Sequence, residues 1–124
     1  MVEDTITDGQ RIAQLLASEV TGLERGPLAA MAVVDADPDM DPTPDGAFAY
    51  GVDDDERRLA DVFVAPERVR VELQTGLAAG AEAAADADLR VRPKAVEPPR
   101  TLVFVERGAD VKRVVDVLVA AVEG

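Results

Sequence analysis

The stretch from Ala47 to Leu73, AFAYGVDDDERRLADVFVAPERVRVEL, decides the fold. In its first part Phe48, Tyr50 and Val52 alternate with small residues, which predicts a strand over 47–52 with these three on one face. Leu59 to Val64 is a compact apolar run and predicts the next strand. Val69, Val71 and Leu73 then alternate with Arg68, Arg70 and Glu72, the period of two that belongs to a half-exposed strand. Between the runs lie only a polar turn, Asp53–Glu56, and the tight turn Ala65–Arg68, with Pro66 in a favoured position. Connections this short join antiparallel neighbours, because parallel strands need a crossover of about a dozen residues or more. An antiparallel meander follows.

Upstream, Leu28–Asp35 (LAAMAVVD) reads as a buried strand. Asp35–Gly46 (DADPDMDPTPDG) carries Pro38, Pro42 and Pro44 without periodicity, and reads as a loop. Asp4 to Gly22 predicts an amphipathic helix. Thr7 with Gln10 matches a capping box, and Ile12, Leu15, Leu16, Val20 and Leu23 recur at helical spacing. Gly22, Gly26 and Pro27 end it. Downstream, Thr75–Asp88 is an Ala-rich helix interrupted by Gly80, Leu89–Arg92 a short extended piece, and Pro93–Arg100 an irregular connector. Thr101–Glu106 (TLVFVE) reads as a central strand. Val111, Val114, Val115, Leu118, Val119 and Val122 form one face of a closing helix, with Asp110 placed to complement its N-terminus. The expected fold is α+β in one domain, 1–124. It has two layers: an antiparallel meander sheet of about five strands with helices packed on one face, in the order α-β-β-β-β-α-β-α.

Charge is distributed unevenly along this chain. The formal net charge is −12, from 25 acidic and 13 basic residues. Nine acids and no base fall between Asp35 and Glu56, whereas Arg57–Arg113 holds eleven bases against nine acids. Asp outnumbers Glu, and the only lysines are Lys94 and Lys112. Short carboxylates hold water, whereas lysine exposes a long apolar stem. A dense acidic surface repels itself in dilute buffer and stops doing so in molar salt, where the Debye length is about 3 Å. This composition resembles that of small acidic uncharacterised proteins of extremely halophilic archaea. The resemblance implies an environment and carries over no functional residue. An acidic N-terminus and the lack of any apolar run of about 20 residues predict a cytoplasmic protein with no membrane partner.

Catalytic material is sparse. With neither His nor Cys, the usual nucleophilic triads and zinc sites lose their ligands, and Ser18, the only serine, lies within the first helix. No cofactor is expected. Asp35, Asp37, Asp39 and Asp41 alternate like the start of a calcium loop, but Met40 stands where that loop needs Gly and Gly46 where it needs Glu. These four are nonetheless the candidate metal ligands. An enzyme that is cation-dependent (a hydrolase or phosphoryl transferase) would need several of Asp35, Asp37, Asp39, Asp53 and Asp55 to converge on a pocket. Asp110-Val111-Lys112, with Pro38-Asp39 upstream, matches a nuclease-like pattern, yet it opens a helix where that pattern needs a strand.

The bases suggest a contact surface instead. Arg68 with Arg70, and Arg90 with Arg92, each share a strand face by spacing and form the candidate interaction residues. They read as lacking interleaved aromatics for base stacking, and the overall charge disfavours nucleic acid. Glu72, Glu82, Asp86 and Asp88 are their expected partners within the chain. The alternative is the acidic lobe of a second copy, met reciprocally across a two-fold axis. The leading expectation is a non-enzymatic interaction module that self-associates; an acidic mimic of nucleic acid that occupies a basic partner is the weaker third idea, because high salt screens its steering.

Overall fold

The computed structural model describes residues 7–22, 30–55 and 57–123. The expected helix residues before Thr7, Leu23, Gly26 and Pro27, the first two residues of the expected strand 28–35, and Glu56 lie outside them. The order is α1 (Gly9–Gly22), β1 (Met31–Val34), β2 (Ala47–Asp54), β3 (Arg57–Ala65), β4 (Arg68–Leu73), α2 (Leu77–Asp86), β5 (Arg90–Lys94), β6 (Arg100–Val105) and α3 (Val111–Glu123). A 3-10 turn, Gly108–Asp110, leads into α3. The α+β class stands as read, with one strand more.

That strand is β5. The short extended piece at Leu89–Arg92 runs on to Lys94 and pairs with β6, and the connector shrinks to residues 95–99. Pro93 conceals the strand in the sequence because proline cannot donate to a ladder. It is tolerated here because β5 is the sheet edge. All pairs are antiparallel, and the strands lie in the order β1-β2-β3-β4-β6-β5. The expected meander covers β1 to β4. The chain then crosses through α2 to the far edge and returns as β6, which pairs directly with β4.

One face of the sheet carries the core. Val62, Val64, Val69, Val71, Leu73, Val103 and Val105 are fully buried with Ile12, Leu16 and Val20 of α1 and Val114 and Leu118 of α3. Valine dominates because a β-branched side chain fits a pleated, buried surface with little rotamer freedom to lose. Three local devices seat the helices. Asp8, not Thr7, caps α1: its Oδ1 accepts the Gln10 N–H at 3.2 Å. Gly9 donates its N–H to the Pro66 carbonyl at 3.0 Å, and a Cβ there would overlap the carbonyls of Ala65 and Arg68. Gly76 enters α2 at φ 61°, against the Ala121 carbonyl of α3.

A register shift between Phe48 and Tyr50 corrects the reading of β2. Tyr50 and Val52 face the core, whereas Phe48 pairs with Phe63 on the opposite face, their rings edge-on at 5.8 Å. A bulge adds one residue to one strand and so turns the side chains beyond it to the other side. Among the described residues, no helix is long and apolar enough to cross a membrane.

Candidate interaction surface

Among the described residues the second face of the sheet has no helix on it, and its side chains follow from the register. Val34, Gly51, Asp61, Glu72, Leu102 and Arg92 form one row across all six strands. Phe48, Phe63, Arg70, Phe104 and Arg90 form the next. In β4, β6 and β5 this face has nine outward positions: Arg68, Arg70, Glu72, Arg100, Leu102, Phe104, Arg90, Arg92 and Lys94. Six are basic and one is acidic, giving +5 in a chain whose total is −12. The four arginines expected to serve contact all stand here, because β6 inserts between their strands and carries its own period in phase with both. Arg100 and Lys94 join them. Sequence reading missed these two because it placed both in a connector.

Aromatic rings lie among these bases. Arg68 on β4 and Arg90 on β5, the two strands flanking β6, lie over the Phe104 ring at 4.9 and 5.4 Å, and Arg70 covers Phe63 at 4.5 Å. This corrects the expectation that the basic strands lack interleaved aromatics. The rings come from neighbouring strands, so spacing within one strand could not show them. A guanidinium stacked on a ring is held in place while its edge stays available for hydrogen bonds. Arg70 also donates to Glu72 at 2.8 Å and to the Asp45 carbonyl at 2.8 Å. Arg90 reaches Glu106 at 3.3 Å, and Arg100 lies 4.0 Å from Glu72. Among the described residues Arg68, Arg92 and Lys94 form no ion pair. The expected pairing with Glu82 and Asp86 does not occur, since these belong to α2 in the helix layer, and Asp88 sits exposed just beyond it.

The β1–β3 half of the same face is built differently. Its one base, Arg58, is ringed by carboxylates: Asp35 at 2.6 Å, Asp53 at 2.8 Å and Asp61 at 2.5 Å. Asp61 first, then Asp53, holds the guanidinium charged and raises its pKa above the usual value. Gly51 lies directly beneath, and any side chain there would collide with the guanidinium. Gln74 donates to the other oxygen of Asp61 at 2.8 Å. Two of the five aspartates that a cation-dependent enzyme would gather are thus brought together, around an arginine. Asp61 was not anticipated as the third. No spacing in the sequence signals it, since residues three apart in a regular strand face opposite ways; a register shift between Val52 and Asp53 puts Asp61 on the face of Arg58.

The remaining metal candidates are spread out. Asp37 Oδ1 accepts the Asp39 N–H at 2.9 Å in a local turn, and Asp41 is exposed further along the loop. Asp55 lies at the β2–β3 turn with φ 62°. A cavity of about 240 Å³ between α1 and the β1–β2 loop takes Asp37 alone of the five, among Val33, Met40, Ala49 and Tyr50. Among the described residues, no three carboxylates are arranged to hold a metal ion. Asp110 is buried ahead of α3 with Arg107 at 3.5 Å and Arg113 at 3.6 Å, while Lys112 points to solvent.

A family model covering residues 1–124 matches the sequence, and the chain belongs to that family, DUF7993, a family of unknown function. No curated protein and no solved structure matches it.

Proposed function

We propose that this protein is a non-enzymatic interaction module, adapted to high salt and working in the cytoplasm of a halophilic archaeon, that binds an acidic protein surface through the helix-free face of its sheet. The observation that carries this reading is the gathering of six bases on nine adjacent outward positions of β4, β6 and β5. Scattered bases on an acidic protein serve local pairing. Bases collected on one flat face, three of them stacked on rings, present a preformed surface to an anionic partner. The carboxylates of the same face are already engaged by Arg58, Arg70 and Arg100, which suits structure better than proton transfer.

Poly-glutamate is a suitable acidic probe. Titrated into labelled protein, it should shift the backbone amides of β4, β5 and β6 saturably, with an affinity that falls as salt rises. The double variant Arg92→Glu, Lys94→Glu should lose those shifts while keeping its fold. Shifts confined to the helix layer, or none that saturate, would sink the reading.

A further inference from the structure

We infer that the occupant of this face is a second copy of the same chain, docked face to face about a two-fold axis parallel to the strands and passing between β3 and β4. This rests on the reading of the helix-free face as the contact surface, and it names the partner.

Charge selects the copy. With +5 on the β4–β6–β5 half, the rest of the chain carries −17 of a −12 total, so a second copy offers a large net excess of acid outside that patch. Geometry selects the axis. The two halves lie side by side on one face, in the order β1-β2-β3 then β4-β6-β5. An axis along the strands lays each β5 over the partner copy's β1, and each basic half over an acidic one. An axis across the strands would lay β5 on β5 and base on base. With the axis along the strands, each row of the register opposes its own reverse. Arg90, at the end of the Phe48–Phe63–Arg70–Phe104 row, then lies over the acidic loop that follows Val34. Arg100 lies over the region of Asp53. Of the apolar members of the face, Phe63 falls beside the axis and Phe48, Phe104 and Leu102 one strand further out on either side, near the centre of the contact where an interface is driest.

Area and edges agree. Six strands about 4.8 Å apart and about six residues long give a footprint of roughly 570 Å² on each copy. Twice that lies near the lower bound of specific interfaces, about 1,200 Å², so the whole face is needed and half would not suffice. Association through the β5 edge is blocked by Pro93 and by the charged Arg90, Arg92 and Lys94. An isologous contact also closes on itself and needs no third copy.

The test uses two variants at the lowest salt that keeps the fold. Arg90→Glu, Arg92→Glu lowers the basic half from +5 to +1, and Asp39→Lys, Asp41→Lys lowers loop 35–46 from −5 to −1; neither touches Arg58 or the core. By light scattering the wild type should have twice the 13.1 kDa chain mass. Each variant alone should be monomeric, and an equimolar mixture should recover the dimer. A monomeric wild type that still binds poly-glutamate on this face overturns the second copy as partner and leaves the interaction reading standing. A monomer that binds no acidic probe overturns both. A dimer that persists in both variants places the contact elsewhere and overturns the proposed geometry.

Discussion

Tyr50 carries the only phenol of the chain into the core and donates it to the Ala13 carbonyl of α1 at 2.7 Å. Burial raises its pKa well above the ordinary value of 10.0, because the phenolate would be stripped of water. The sign of the linkage is definite. The folded chain holds this proton more tightly than the unfolded chain, so the contribution is intact below about pH 10 and is lost as pH climbs past it. Urea unfolding near pH 8 and near pH 11 should show the wild type losing stability over that interval. Tyr50→Phe should lose less over the same interval, after a cost of about 1 kcal/mol at neutral pH for the missing hydrogen bond. Equal alkaline losses would show that Tyr50 is not the group responsible. Arg58 shows the same logic on the surface. Three carboxylates, one just after β1 and the others on β2 and β3, converge on one planar cation, and Gly51 supplies the space beneath it. Acidic residues that look like a metal site in sequence can be satisfied by an arginine that the sheet register brings among them.

At the scale of the element, the helices hold their places through glycine contacts with neighbouring backbone. α2 begins at Gly76, which takes a left-handed conformation at φ 61° and leaves no room for a Cβ beside the Ala121 carbonyl. Gly80, within α2, leaves space for the Leu73 side chain of β4. Gly76→Ala should therefore meet two penalties, about 1–2 kcal/mol for the left-handed backbone and about 1–3 kcal/mol for displaced packing. Thermal unfolding should show a correspondingly lower midpoint. An unchanged midpoint would mean that α2 docks on α3 without this close approach. Among the strands, β5 is the one most shaped by its position. It is short, charged and proline-bearing, features that suit an edge and would not be tolerated between two partners.

At the scale of the whole molecule, charge is segregated in space as well as along the chain. The basic half of the open face stands beside the Arg58 cluster and the acidic loop, with net −12 overall. Self-repulsion among the acids weakens the folded state in dilute buffer, and salt relieves it within a Debye length that shrinks to about 3 Å in molar salt. The unfolding midpoint should therefore rise steadily from dilute buffer to molar potassium chloride. It should rise further than in a variant with Asp39, Asp41 and Asp45 changed to Asn, where less repulsion remains to be screened. A midpoint that falls with salt, or an equal response in the variant, would contradict salt adaptation.

The sequence by itself determined the α+β class and the elements other than β5, because periods of two and 3.6 are local and survive any arrangement. It also determined that Arg68 with Arg70, and Arg90 with Arg92, share faces, since that parity belongs to each strand alone. It did not show Phe48 turning outward, because a bulge is set by pairing with Phe63 on another strand. Nor did it show Phe104 lying beneath Arg68 and Arg90, or Asp61 joining Asp35 and Asp53 at Arg58. The Phe104 contacts depend on strand order, on β6 entering between β4 and β5, and the Arg58 cluster on the register shift between β2 and β3. Only tertiary structure decides strand order, because it is fixed by which apolar faces can be buried together, a property no single segment possesses.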